Sequence, residues 1–331
     1  MEKRKGNLKT NFSEIARELQ VSRGTIYRVV NQSPLVAPAT RTKVIEALNK
    51  NGYFTHHRFR KSRILFDFCT NGYLRTIGEK LLKRLPENEY SSFLTDHRKD
   101  EEGFFNTAAS CDAAVFCSNP SPWLIEKVRQ LNPDLFTINL NTESTADVTI
   151  TPNNKLGGEL AAQHLFSLGQ KRIAVFLPQT HLTRMERYKG FIGEMKILDP
   201  EAIILPIDAH EKEPFCRTFE RFFEKNKTLP DTIFFLSGSS AQQFWESFSA
   251  KGAPYDKIGI MSYDRPEDIF ETKKDYRLFD RIEFEIRHLL DWAEYYITNR
   301  PMMKKRSPIQ TSTGVVLVRE GSIHPKKHPV R

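Results

Sequence analysis

The chain has 331 residues, four cysteines and a formal net charge of +9. That length exceeds one ordinary core and points to two or three domains. No apolar run is long enough to cross a bilayer and the opening MEKRKGNLKT lacks the apolar centre of a secretory leader, so membrane and exported classes are set aside and a cytoplasmic location is expected. Cys69, Cys111, Cys117 and Cys216 form no CxxC pair and no zinc spacing, so reduced, packed thiols are expected.

The charge is not spread evenly. Residues 1–63 hold 14 Lys and Arg against 4 Asp and Glu, a net of +10, and the remainder is close to neutral. A basic run is often only a solvated face, but here all the excess sits on one small segment. The natural partner of such a segment is a polyanion, because each phosphate it neutralises releases condensed counterions.

That segment carries the clearest local pattern. Phe12, Ile15, Ala16 and Leu19 fall at i, i+3, i+4 and i+7, one face of a short helix with Asn11 as its cap and Glu14 in the capping-box place. Gln20 and Val21 break the period. Ser22 then caps a second helix running to about Asn31, with Ile26, Val29 and Val30 as its apolar stripe. Arg23, Gly24, Tyr27 and Arg28 face elsewhere. The arrangement is either an ordinary helical hairpin or a helix-turn-helix whose second helix lies in the DNA major groove, and the local charge favours the latter. A third helix follows, with Pro38 at its first position, Val44, Ile45 and Leu48 on its apolar face, and Gly52 as its stop.

Over EIARELQVSRGTIYRVVNQSPLVAPATRTKVIEALNKNGY the chain resembles the DNA-binding headpiece of the LacI/GalR family of bacterial transcription regulators, nearly position by position. The resemblance implies that Arg23, Gly24 and Arg28 stand where bases are read. It likewise implies that Ser22, Thr25 and Asn31 stand where phosphates are held. Arg23 has the fork geometry for guanine O6 and N7, whereas Gly24 leaves its base unread or allows close approach. Tyr27 replaces the usual Ser and would reach a phosphate or a thymine methyl. The structural alternative for Arg28 is an ion pair with Glu14 or Glu18.

Residues 55–63, THHRFRKSR, form a short basic connector. The family holds a hinge here that begins with Pro-Asn and wedges a leucine into the minor groove. None of those residues is present. His56, His57, Arg58, Arg60, Lys61 and Arg63 remain available to phosphates, and Phe59 is either a wedge or packing at the joint.

From Ile64 onward short apolar runs alternate with helical patterns, the mark of parallel βα units. Expected strands are 64–68, 113–116, 135–139, 172–177, 203–206, 232–236 and 258–262. Expected helices are 74–85, 124–131, 155–168, 186–195, 240–251 and 283–298. Stretches such as NNKLGGELAAQHLFSLGQKRIAVF, the Arg187-x-x-Gly190-Phe191 motif, KIGIMSYD and GVVLVREGSI resemble the same family's core. The fold class expected is therefore a small all-α helix-turn-helix headpiece followed by α/β, with two doubly wound parallel-sheet lobes of the type I periplasmic-binding-protein kind. The expected domains are a headpiece at 1–54, a linker at 55–63, a two-lobed effector-binding and dimerisation domain at 64–322, and a loose basic tail at 323–331.

The resemblance implies that Arg187 and Asp264 hold the effector, the alternative being a structural Arg–Asp pair. Asn153, Tyr73 and Ser237 are weaker effector candidates. Ser237-Gly238 replaces the family's Asn-Asp pair, and Arg265 replaces a common Asp. With Arg187, Arg265 and fewer acids, an anionic or phosphorylated effector is expected beside the sugar class. Catalysis has little support, since no GxSxG, HExxH, P-loop or GxGxxG pattern occurs and the nine His are scattered. No catalytic residue, metal or cofactor is expected. The expected partners are a double-stranded, palindromic DNA operator, a small-molecule effector and a second copy of the chain, and the expected role is repression. The alternatives are a regulator controlled by a protein partner and, further off, an enzyme fused to a headpiece.

Overall fold

The computed structural model describes residues 12–30, 36–51, 61–68, 72–178, 182–209, 213–252, 254–265, 277–303 and 308–326. The chain divides into two compact units, residues 1–62 with 87–91 and residues 63–86 with 92–331.

The first unit contains three helices, α1 (Phe12–Glu18), α2 (Arg23–Val30) and α3 (Pro38–Lys50). Their apolar stripes meet in a core of Ile15, Ala16, Ile26, Val29, Val30, Val36, Val44, Ala47 and Leu48, sealed by Phe12, Leu19, Val21 and Ile45. The turn between α1 and α2 is tight. Gln20 takes a left-handed φ of 53°, and the Val21 N–H returns to the Ala16 carbonyl at 2.9 Å, so the last carbonyls of α1 are satisfied within the turn. Asn11, Asn31 and Gly52, read as a cap, a phosphate contact and a stop, lie outside the described residues, as does the connector from residue 52 to 60.

The second unit is built on two six-stranded sheets. One runs β11–β5–β4–β3–β1–β2, from strands β1 (Ser62–Phe68), β2 (Tyr90–Thr95), β3 (Ala113–Cys117), β4 (Phe136–Leu140), β5 (Val148–Pro152) and β11 (Ile309–Thr313). The other runs β12–β10–β9–β8–β6–β7, from β6 (Arg172–Pro178), β7 (Ile203–Ala209), β8 (Thr232–Phe235), β9 (Gly259–Tyr263), β10 (Asp280–Phe284) and β12 (Val315–Val318). The pairs β1–β3, β3–β4, β4–β5 and β5–β11 are parallel, as are β7–β6, β6–β8, β8–β9 and β9–β10. Only β12 is described running antiparallel, against β10. Central strands such as AAVFC of β3 and TIFF of β8 are buried at every position, as strands covered on both faces must be.

The helices of this unit are α4 (Gly72–Leu82), α5 (Glu101–Ala108), α6 (Pro122–Leu131), α7 (Asn154–Ser167), α8 (Leu182–Leu198), α9 (Phe215–Lys225), α10 (Gly238–Ser247) and α11 (Ile286–Met303). The first lobe's core gathers Leu65, Phe104, Ala114, Phe116, Leu124, Ile125 and Val128. The second is aromatic, with Phe176, Phe219, Phe222, Phe235, Phe244 and Phe248 in one cluster. The chain passes between the sheets three times: after β5, between β10 and α11, and at Gly314 between β11 and β12. Doubly wound sheets present their ligand crevices at the carboxyl ends of the strands.

Some expectations need correction. The helix expected from Glu283 begins at Ile286, because Asp280–Phe284 is an inner strand of the second sheet, paired with both β9 and β12. Strands β2, β5, β10 and β11 and helices α5 and α9 were not anticipated. Arg63, assigned to the connector, belongs to β1, where its guanidinium lies 4.7 Å from the Phe93 ring centroid. The tail expected to be loose is docked as far as Lys326, whose N–H donates to the Leu168 carbonyl at 2.8 Å and whose Nζ pairs with Asp231; residues 327–331 lie outside the described residues.

Candidate functional site

The headpiece presents a face with no structural duty. Ser22 Oγ accepts the Thr25 N–H at 3.0 Å and bonds Thr25 Oγ1 at 2.9 Å, so the two hydroxyls close the cap of α2. Ile26, Val29 and Val30 turn inward. Arg23, Gly24, Tyr27 and Arg28 are exposed, on the side that helical spacing places opposite the core. Neither Arg23 nor Arg28 forms an ion pair among the described residues, and the alternative pairing of Arg28 with Glu14 or Glu18 does not form. Tyr27 alone of the four is braced, its ring meeting that of Phe12 edge to face at 5.2 Å.

In the second lobe the chemistry is reversed. Arg187, on α8, is only 6 % exposed. Its Nε donates to Asn154 Oδ1 at 2.9 Å and its Nη1 to the Leu236 carbonyl at 2.8 Å. The same Nη1 lies 3.1 Å from Asp264 Oδ2, and the guanidinium stacks 3.6 Å from the Tyr263 ring centroid. Burial raises the Tyr263 phenol above its ordinary range, so it stays protonated, and among the described residues its hydroxyl has no partner in good hydrogen-bond geometry. The close fit depends on missing side chains. A Cβ on Gly157 would fall 2.3 Å from the Tyr263 hydroxyl, and one on Gly238 would strike the carbonyl carbon of Arg265 at 2.3 Å.

The expected effector residues Arg187, Asp264 and Ser237 are thus brought together at the ends of β8 and β9. Asp264 holds a left-handed φ of 64° just past β9. Ser237 is the N-cap residue of α10 and bonds Ser240 Oγ at 2.9 Å. Asn153 caps α7, accepting the Leu156 N–H at 3.0 Å. The Tyr73 side chain lies outside what is described.

Beside Asp264 opens a cleft of about 490 Å³, bordered by Arg265, Glu283, Phe284, Glu285 and His288 at the second passage between sheets. Arg265 does not supply free positive charge there, because its Nε lies 2.5 Å from Glu283 Oε1. Glu283 also receives Arg281, which pairs in turn with Glu320 at 2.8 Å. Burial alone would push the Glu283 carboxyl up, but hydrogen bonds from Arg265 and Arg281 outweigh it and hold the group below its usual range. With Arg187 facing Asp264 and Arg265 facing Glu283, neither of the two arginines on which an anionic effector was expected brings unmatched positive charge.

A polar cluster that the sequence reading missed lies at the corresponding edge of the first lobe. Asp67, fully buried near the end of β1, receives the Ser118 hydroxyl, the His97 N–H at 3.0 Å and His97 Nδ1 at 2.8 Å. Arg98 Nη2 donates to the Ser118 carbonyl at 2.7 Å. Asn139, near the end of β4, donates to the Thr142 carbonyl at 2.6 Å while its buried Oδ1 has no partner among the described residues. The signal was an Asp inside the otherwise apolar ILFDF. Asp, His and Ser are the side chains of a nucleophilic triad, but Ser118 bonds the carboxylate rather than the imidazole, so no base is placed to activate it. Among the described residues no cluster of His, Cys, Asp and Glu could hold a metal, and no helix is long and apolar enough to cross a membrane.

A helix-turn-helix unit followed by two parallel-sheet lobes defines a class of two-lobed regulators, and solved structures share that architecture. A LacI family transcriptional regulator from Enterococcus faecium with bound ribose matches 81 % of this chain and 100 % of its own with a TM-score of 0.62 at 18 % identity. The lac repressor dimer bound to operator and an anti-inducer matches 95 % and 99 % with a TM-score of 0.59 at 15 % identity. In sequence, residues 11–56 fit the model of the lacI family of bacterial regulatory proteins. Catabolite control protein A of Priestia megaterium is 50 % identical over 241 residues, 67 % of this chain and 72 % of that protein. The transcriptional regulator DegA of Bacillus subtilis is 23 % identical over 207 residues, 57 % of this chain, which spans 61 % of that relative's length. The chain belongs to the lacI family of bacterial regulatory proteins.

Proposed function

We propose that this protein is a transcription regulator, a repressor, that binds a palindromic operator as a homodimer and answers to a small molecule held between its lobes. The observation that carries the reading is the exposed face of α2. Arg23 and Arg28, without ion pairs among the described residues, stand on the one segment that holds the chain's excess positive charge. Arg23 at the start of the helix reads a guanine edge, Arg28 a second base, and Gly24 and Tyr27 lie between them. Ser22, Thr25 and Asn31 set register on phosphates. In this reading residues 1–54 are the headpiece, 55–61 the linker, and the chain from β1 at Ser62 to the docked Lys326 the effector and dimer domain. The protein acts in the cytoplasm, at the DNA.

The effector class that the cleft supports is a neutral polyhydroxyl molecule. Its paired arginines and carboxylates offer fixed donors and acceptors with little net charge. Asp264 borders that cleft, Arg187 pairs with Asp264, and contacts of Arg187, Asn153, Ser237 and Tyr73 with the effector are proposed on the family resemblance. A ribose-bound regulator among the structural neighbours agrees with that class. Ligand that closes the lobes would alter DNA affinity, and DNA would alter ligand affinity by the same factor.

Selection of the full-length protein on random duplex DNA tests this. An enriched inverted repeat, with affinity falling steeply as salt rises, is expected. Salt-dependent binding without an enriched sequence would reduce the headpiece to an electrostatic anchor. A panel of sugars and sugar phosphates, read by thermal shift, is expected to stabilise through the neutral members. Stabilisation by the phosphates alone would contradict the proposed effector class.

A further inference from the structure

Glycine inside a helix is destabilising relative to alanine, so Gly24 near the start of the eight-residue α2 calls for a cause. The protein's own packing supplies none. Gly24 is exposed, its φ is not left-handed, and a Cβ built there would meet nothing nearer than Ser22 Oγ at 3.5 Å. Gly158 and Gly190 are different, since a Cβ on either would strike the backbone carbonyl oxygen of Arg187 or Lys155 at about 2 Å. Those two glycines let α7 and α8 touch. At Gly24 the omitted side chain leaves room for something arriving from outside.

The surroundings say what it is. Tyr27, one turn further along the same face, is 45 % exposed. Helical side chains lean toward the preceding turn, which brings its ring toward the Gly24 side of the face. The ring does not sweep freely, because Phe12 meets it at 5.2 Å with the planes 84° apart, a favourable edge-to-face arrangement. No atom of the Tyr27 ring lies within 4 Å of the Cβ position built on Gly24, so between Arg23 and Tyr27 the face carries a bare Cα with space before the ring, and no side-chain donor or acceptor at residue 24 itself. In the DNA major groove the one apolar group on any base edge is the thymine 5-methyl.

We propose that Gly24 and Tyr27 form a recess that admits a thymine 5-methyl in each half-site, with Phe12 as the positioning residue behind the Tyr27 ring. Gly24 is then a specificity determinant through the side chain it lacks. The inference rests on the assignment of α2 as the DNA-reading helix.

The test uses full-length protein and the duplex obtained by random selection. Each thymine of the enriched half-site is replaced in turn by uracil, which keeps every hydrogen-bonding group and removes only the methyl. At one position affinity should fall about four-fold, the worth of one buried methyl group. Gly24→Ala should unfold at or above the wild-type temperature and yet bind thymine and uracil duplexes alike at that position, while its preference at the Arg23 position persists. Tyr27→Ala should lose the same discrimination, Tyr27→Phe should keep it, and Phe12→Leu should weaken it. Wild-type protein that binds its selected duplex equally with every thymine replaced would overturn the recess and leave the reading helix standing. Failure to enrich any sequence would overturn both.

Discussion

Arginine plays opposite parts in the two units. Arg187 is buried against a ring, two backbone or amide oxygens and a carboxylate, so its donors are committed before any ligand arrives. Arg23 and Arg28 stand in water with no ion pair among the described residues. A buried guanidinium must be matched or its desolvation is unpaid. An exposed one costs nothing to leave open and can be matched by a phosphate or a guanine. The residue type is the same, and burial decides whether it shapes a site or does the reading.

The contrast is broken most forcefully at Arg187. Arg187→Ala removes a buried guanidinium that stacks on Tyr263 and holds Asn154, the Leu236 carbonyl and Asp264, and should destabilise the two-lobed unit by about 3 kcal/mol, read by thermal unfolding. A loss below about 1 kcal/mol would mean that the arginine is held for ligand rather than for structure.

Asp280 is a second buried carboxylate, held by hydrogen bonds. Burial would raise its carboxyl, but His164 at 2.8 Å and the N–H groups of Glu320, Gly321 and Ser322 hold it down to about 2. A carboxylate whose folded pKa lies below its unfolded value stabilises fully above the unfolded value and loses that contribution as pH falls toward the folded one. Stability should therefore drop between about pH 4 and pH 2 by about 2 kcal/mol from this group. Asp280→Asn should lose a similar amount at pH 7 and show a flatter acid limb in denaturant titrations.

Arg23→Ala should do the reverse of Arg187→Ala. Stability should change by less than about 0.5 kcal/mol, while discrimination at one base pair per half-site should fall by about 1–3 kcal/mol, measured by competition binding. Smaller effects belong to the turn. Ser22→Ala should destabilise the headpiece by about 1 kcal/mol through the lost cap. Gln20→Gly should stabilise it by about 1 kcal/mol, because Gln20 holds a left-handed φ that glycine adopts without penalty. Both are read from the headpiece's own melting transition.

How much of this was legible in the sequence follows the same line. The headpiece helices were readable because periodicity and the Ser22 cap are local signals and nothing distant overrides them. The alternation of strands and helices gives the two-lobed class but hides β10, whose last two residues fall in the helix expected from Glu283. Its alternating Asp280-Arg281-Ile282-Glu283-Phe284 carries three charges in an inner strand, which is tolerable only because His164, Glu320 and Arg265 arrive from remote parts of the chain. The pairing of Arg265 with Glu283 was hidden for the same reason, and with it the neutrality of the cleft. Asp67, His97 and Ser118 are spread over about fifty residues and meet because β2 and β3 flank β1 in the sheet. Residue type and spacing show what is local. Which charges are already matched is a property of the fold.

The central claim is that the free cations of α2 read base edges while the matched ones of the lobes do not. Equilibrium binding of wild type and Arg23→Ala to the selected duplex, and to duplexes changed one base pair at a time, tests it most directly. The substitution should flatten the preference at a single position in each half-site and leave the unfolding temperature unchanged. A uniform loss of affinity across all duplexes, with every preference retained, would place Arg23 on a phosphate and contradict it.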